Sequence, residues 1–398
     1  MRICYTATDV VIPHYRGAST HVYEVAKHLT RLGHEVHVIS RRVSHVQPKY
    51  ENVDSIHVHR IFRGLIAPLP LASYEQLKGT EQRIPKFLPK LYAWYLFTLH
   101  ATYAGLITSA ITKKYNVDVI VERESSFGAG AIASALTKRP LILEIIGPRY
   151  SRLSFKRSEK IIAYTRSVLH NFVPPNKLVF VTAAVDVKSF KPDLVEGNLI
   201  RERYGLRDSI VIGYVGTFAS WHGIEELIDA SIKVSERFPH VRFLMVGPYF
   251  KYAKELAQKR GVLNSYVFTG PVPYVDVPKY INAADILVAP YNPTKSGLRR
   301  KYGIGSPLKV FEYMACGKPV ITTAIEPITQ VIHEGKTGIL TTPGDSEALS
   351  EAIIHLIEKP LFAERLGKAA REEVEERYSW EAFALQLENI LKEAIKGM

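Results

Sequence analysis

The sequence predicts an α/β protein built from two doubly wound parallel-sheet domains of similar size. Three observations carry this. Apolar runs of strand length alternate with helical periodicity almost throughout the 398 residues. A polar stretch from Phe190 through Gly205, with no long apolar run, interrupts the alternation near the middle. At roughly 150 residues per domain, the length allows two or three domains. The composition, 46% hydrophobic and 23% charged, is that of a globular protein and excludes wholesale disorder. Two cysteines exclude a disulfide scaffold and a Cys-rich metal site. Cys4, in a predicted strand, and Cys316, in a predicted helix, read as small buried apolar residues.

The first strand is Arg2 to Thr6. A turn, Gly17-Ala18-Ser19-Thr20, precedes a helix with Val22, Val25, Ala26, Leu29 and Leu32 on one face. Gly33 stops that helix, and Glu35 to Ile39 is the next strand. This βαβ unit requires a parallel sheet with helices on its faces. Further strands are predicted at Val117 to Val121, Pro140 to Ile146, Lys160 to Ala163 and Lys177 to Val181. A second set follows at Ile210 to Val215, Val241 to Val246, Val267 to Thr269, Ile286 to Ala289, Pro319 to Thr322 and Gly338 to Thr341. The predicted domains are 1–192 and 193–378. An amphipathic helix at 379–398 is expected to pack back toward the first domain. Leu91 to Thr112 holds no Asp, Glu, Lys or Arg. Its polar residues, His100, Ser109 and four Thr, leave three readings open. It is a buried helix of the first domain, a helix at the membrane surface with Lys86, Lys90, Lys113 and Lys114 near lipid phosphates, or a span.

The net charge of +13 is uneven: residues 1 to 200 carry 27 Lys and Arg against 15 Asp and Glu, and the remainder 25 against 24. An acidic partner is therefore expected on the first half. The opening Met1-Arg2-Ile3-Cys4-Tyr5 lacks the pattern of a signal peptide, so a cytoplasmic location is expected, with peripheral contact to an anionic membrane through the first domain. No zinc-finger spacing, aromatic-rich RNA-binding signature or Lys/Arg-rich helix accompanies the basic half, so nucleic acid is not an expected partner.

The most specific segment runs from Gly303 to Ile321. It reads as a helix with both ends written in: Ser306 as N-cap, Pro307 in the first turn, Gly317 as the left-handed stop and Pro319 beyond it. Such a helix start offers free N–H groups and partial positive charge to a phosphate. Lys309 stands in the first turn, where a cation opposes the helix dipole; an anion there would justify it. Glu312 follows three residues later on the same face, and a carboxylate can accept two hydrogen bonds from vicinal ribose hydroxyls. A second glycine turn, Gly213 to Gly223, also sits between strand and helix. So does Tyr15-Arg16-Gly17-Ala18 in the first half. In doubly wound sheets ligands bind beyond the C-terminal strand ends, where these turns lie.

On these residues the chain resembles the GT-B glycosyltransferases, specifically glycosyltransferase family four. The matching pieces are Gly17 to Ser40 with Leu32-Gly33-His34-Glu35-Val36, Val181 to Asp186 ahead of Phe190-Lys191-Pro192, Val215-Gly216 to Gly223, Leu244 to Gly247, Ala284-Asp285-Ile286, Pro307 to Ile321, and Tyr378-Ser379-Trp380. The resemblance implies two Rossmann-like domains facing across a cleft. It also implies retaining transfer of a hexosyl unit from a UDP- or GDP-linked sugar to an acceptor hydroxyl of a lipid-linked or soluble glycan. Many relatives hold the diphosphate with an Arg and a Lys in the second glycine turn, where this chain has Thr217 and His222. They also carry a Glu at the place of Ile304, eight residues before the position of Glu312.

The expected donor site is therefore Gly17 and Ala18 from the first domain, Gly216, Thr217 and His222 from the second, and the helix start Ser306, Pro307 and Leu308. Lys309 is to balance the diphosphate, with His222 and Arg299, Arg300 or Lys301 assisting, and Glu312 is to hold the ribose. No Asp-x-Asp pair stands at a strand end, so no metal and no separate cofactor are expected. Arg123, Glu124 and Glu144 are acceptor-side candidates. Two other functions compete, a nucleotide-sugar 2-epimerase of the same architecture and a basic nucleic-acid-binding protein.

Overall fold

The computed structural model describes residues 1–13, 17–62, 88–147, 150–169, 173–304 and 306–397. Tyr15, Arg16, Lys86 and Gly305, drawn into the sequence argument, lie outside the described residues. The chain divides into two units, Met1–Val181 with Ala384–Met398, and Thr182–Phe383.

In the first unit an eight-stranded sheet has the order β3-β4-β2-β1-β5-β6-β7-β8. The strands are β1 (Arg2–Thr6), β2 (Glu35–Arg42), β3 (Tyr50–Val53), β4 (Ile56–Phe62), β5 (Val119–Arg123), β6 (Leu141–Ile145), β7 (Lys160–Ala163) and β8 (Leu178–Phe180). All pairs are parallel except β3 with β4. Parallel strands are covered on both faces, and β1, β5 and β6 are accordingly buried along nearly their whole length. Each fully buried Val, Ile or Leu in them contributes about 1.5–3 kcal/mol. Cys4 and Cys316 are both buried free thiols.

The β3–β4 hairpin was not predicted. Its second strand reads Ile-His-Val-His-Arg-Ile-Phe, and the alternating polar residues break the apolar run on which a buried parallel strand is recognised. The helix Leu88–Lys114 spans the charge-free segment. His100, Ala101, Ala104, Thr108, Ser109 and Thr112 are buried on it, while Leu99, Tyr103 and Leu106 are exposed. Among the described residues no helix is long and apolar enough to cross a membrane.

The second unit holds a six-stranded parallel sheet of order β11-β10-β9-β12-β13-β14. These are β9 (Ile210–Val215), β10 (Val241–Val246), β11 (Tyr266–Gly270), β12 (Ile286–Ala289), β13 (Val320–Thr323) and β14 (Ile339–Thr341). The division falls at Val181, ahead of the expected 192. The reason is that the linker belongs to the second unit. Phe190 is buried in its core, Val185 bridges to Ser379, and Arg371 donates to the carbonyls of Phe190 and Val187. The last helix, Trp380–Lys396, is assigned to the first unit from Ala384 onward. There Glu388 meets His34 at 2.9 Å and Glu393 meets Lys160 at 2.8 Å.

Candidate functional site

In the second unit the site grows from the C-terminal end of β9. Gly216 follows it with φ +149°, and Gly247 follows β10 with φ +143°, both conformations that favour glycine. A Cβ on Gly247 would lie 1.9 Å from the Gly216 carbonyl oxygen, and one on Gly216 would lie 2.8 Å from the Lys309 ammonium. The two turns therefore pack backbone to backbone and leave Lys309 room to lie against Gly216. Gly223, with φ +71°, lets the chain pass Pro290, whose carbonyl a Cβ would strike at 1.6 Å.

The helix carrying Lys309 and Glu312 is Leu308–Ala315. Its buried face, Val310, Phe311, Met314 and Ala315, fixes it in the core. Tyr313 pins it to β9, donating to the Val215 carbonyl at 3.1 Å and accepting from the Val215 N–H at 2.8 Å. Ser306 is not its N-cap. Pro307 occupies that position with φ −84° and ψ 60°, and no side chain caps the helix. The leading N–H groups at Leu308 and Lys309 are thus not satisfied by a capping side chain. Ile304 is buried in the core.

Lys309 donates to the Tyr214 hydroxyl at 2.9 Å and lies over the rings of Tyr214 and Tyr291, at 4.4 and 5.1 Å. Burial pushes its ammonium down to about 7, against the pull of Glu312. Glu312 is buried and accepts from the Tyr274 hydroxyl at 2.9 Å. Burial pushes its carboxyl up to about 7, against Tyr274 and Lys309. Among the described residues neither group forms an ion pair. The helix therefore presents a cation and a carboxylate, both desolvated, beside uncapped amides.

His222 plays a different part from the one expected. Its Nδ1 donates to the Thr217 carbonyl at 2.6 Å and lies 3.1 Å from the Tyr214 hydroxyl. Burial, followed by repulsion from Lys309, pushes its pKa down to about 3. A neutral imidazole cannot compensate phosphate charge; it holds the Thr217 turn in shape. Arg299 stacks over Trp221 at 4.5 Å and is half-buried, whereas Arg300 and Lys301 are exposed.

In the first unit, Gly17 opens the helix Gly17–Arg31 and Ala18 is half-buried. A cluster of charges lies at the C-terminal ends of neighbouring β1, β5 and β6. Arg123 ends β5, two residues beyond the predicted strand, and Glu124 opens a 3-10 turn. Glu144 on β6 accepts from His21 Nε2 at 2.7 Å, from the Tyr164 hydroxyl at 2.9 Å and from the Tyr5 hydroxyl. Burial alone would raise its pKa, but His21, Arg123 and Tyr5 hold it down at about 2. Arg123 sits 3.5 Å from Asp9 and 4.0 Å from Glu144, yet among the described residues its Nε and Nη1 have no hydrogen-bond partner. Glu124 accepts from the Ile146 N–H at 3.1 Å and is pushed up to about 7 by burial. His21, Tyr5 and Tyr164 were not singled out from sequence, because they join the site only when β1, β6 and β7 assemble.

Comparison with known proteins gives the family. Residues 15–189 match the family model Glycosyltransferase Family 4, and residues 198–373 match Glycosyl transferases group 1. The chain is 29% identical to a GDP-mannose-dependent alpha-(1-6)-phosphatidylinositol monomannoside mannosyltransferase of Mycolicibacterium smegmatis, over 57% of this chain and 60% of that one. It is 25% identical to the N-acetyl-alpha-D-glucosaminyl L-malate synthase of Bacillus anthracis, over 94% and 93% of the two chains. In fold it is similar to the sucrose-phosphate synthase of Thermosynechococcus elongatus, with TM-score 0.74 and 19% identity over the full length of both. The chain belongs to the GT-B glycosyltransferases, family four.

Proposed function

We propose that the enzyme transfers a hexosyl unit, with retention of anomeric configuration, from a UDP- or GDP-linked sugar to a hydroxyl of a lipid-linked or soluble glycan. The observation that carries this is the pair Lys309 and Glu312, desolvated and without an ion pair among the described residues, at an uncapped helix start. Lys309 and the amides of Leu308 and Lys309 neutralise the diphosphate; Glu312 accepts from the ribose hydroxyls. Gly216 and Thr217 line the nucleotide, with His222 shaping their turn. Ser306 and Pro307 lead the chain into the helix. No metal is required in this scheme, because the cation and the helix start oppose the charge that builds on the departing phosphate.

In the step itself the acceptor oxygen bonds to the anomeric carbon while the bond from that carbon to the β-phosphate oxygen breaks. The hydroxyl proton passes to the departing phosphate, and entry and departure share one face. Arg123 and Glu124 serve the acceptor side. Glu124 changes protonation near neutrality, and Arg123 has N–H groups to donate. The exposed Leu99, Tyr103 and Leu106, with Lys113 and Lys114 beyond them, form the peripheral contact to an anionic membrane.

A thermal-shift panel of nucleoside diphosphates and their sugars tests the donor assignment. One base should raise the melting temperature with concentration. No shift with any nucleotide would sink it. Epimer formed from donor alone, without acceptor, would mark the isomerase instead.

A further inference from the structure

We propose that Glu35, His37 and His57 bind one divalent transition-metal ion, zinc by the chemistry of the donors, at the N-terminal edge of the first sheet. Parallel pairing of β2 with β4 sets His37 beside His57, and the strand period puts Glu35 on the face of His37. One ligand atom from each of the three lies within 4.8 Å of the others. The Glu35 carboxylate is already 2.9 Å from His37 Nε2. Ligands of a tetrahedral zinc lie about 3.4 Å apart, given bonds near 2.0–2.1 Å. Closure therefore asks for small movements. The His37 and His57 rings are stacked at 4.6 Å, so His57 must turn to bring its nitrogen round, and it is only half-buried.

The surroundings are arranged as an outer layer for such a site. Ligating imidazoles donate their second N–H to a fixed acceptor. With Nε2 of His37 on the ion, its Nδ1 faces His59 Nε2 at 3.0 Å. With Nε2 of His57 on the ion, its Nδ1 faces the Tyr50 hydroxyl at 2.8 Å. Tyr115 covers His37, ring centroids 4.2 Å apart, and His37 is fully buried. Two imidazoles and one carboxylate suit zinc and leave a fourth position for water. Magnesium and calcium, which take oxygen ligands, are disfavoured. The ion would tie β2 to the edge hairpin β3–β4. It sits at the opposite strand ends from Gly17 and Arg123, so it is a staple rather than part of the transfer chemistry.

The test uses the full chain, stripped with chelator and titrated with zinc chloride by calorimetry, with cobalt(II) absorption as a second readout. One ion per chain is expected, with a zinc-dependent rise in melting temperature. His57→Ala should abolish both while leaving the metal-free melting temperature and far-UV dichroism unchanged. Tyr50→Phe should weaken binding about tenfold. If His57→Ala does not fold, Glu35→Gln, at a more exposed position, takes its place. Absence of stoichiometric zinc uptake by the native chain, or undiminished uptake by the folded ligand variant, overturns the proposal.

Discussion

Lys309 and Glu312 share a helix face, and burial brings both to about 7, the ammonium down and the carboxyl up, while each opposes the shift of the other. A diphosphate favours the protonated amine, so binding must take up a proton once the solution passes pH 7. Affinity should then fall by about tenfold per unit on the alkaline side. Ribose hydroxyls need the ionised carboxylate, so affinity should also fall below pH 7 as Glu312 protonates. Calorimetric affinities across pH 5.5–9 should trace a bell with its top near neutrality. In Glu312→Gln the acid limb should vanish and the alkaline limb remain. A flat profile in the native protein would dissociate these two groups from binding.

The glycine turns explain why the strand ends are shaped as they are. Gly247→Ala would push a methyl into the Gly216 carbonyl, a backbone atom that cannot rotate away. We expect a loss of more than about 2 kcal/mol in urea unfolding, and weaker nucleotide binding because Gly216 must shift. Gly261→Ala is the control. Its φ is also positive, +77°, but nothing lies within 4 Å, so about 1 kcal/mol is expected from backbone strain alone. Equal losses for both would argue against the packed turns.

The same scale shows what sequence could and could not reveal. Strands Arg2–Thr6, Lys160–Ala163, Ile210–Val215, Val241–Val246 and Ile286–Ala289 were legible to the residue, since buried parallel strands are short apolar runs bounded by turns. The hairpin β3–β4 was not, because its histidines interrupt the run. The helix Leu308–Ala315 was legible within the Pro307 to Ile321 segment, but its cap was not. Ser306 has the right chemistry, and only the backbone angles show that Pro307 holds the position. Lys309 and Glu312 stood out as charges on an apolar helix. Tyr214, Tyr274 and Tyr291, which surround them, look like ordinary core aromatics in sequence. The neutrality of His222 likewise depends on burial that no local pattern encodes.

At the scale of the whole molecule, charge is divided unevenly, with 27 Lys and Arg against 15 Asp and Glu in residues 1 to 200. The apolar residues exposed on helix Leu88–Lys114 lie in that half. The chain should therefore sediment with vesicles containing phosphatidylglycerol, less so as salt rises, and leave pure phosphatidylcholine vesicles alone. Equal binding to both would remove the electrostatic membrane contact.

The proposal rests on one claim, argued from the desolvated pair: Lys309 grips the diphosphate of the donor. Isothermal titration of the nucleoside diphosphate picked out by the panel, into the native chain and into Lys309→Ala, tests it most directly. A charge-assisted contact of about 1.5–3 kcal/mol predicts a dissociation constant about 10- to 100-fold weaker in the variant. Unchanged affinity in a folded Lys309→Ala protein would contradict the account.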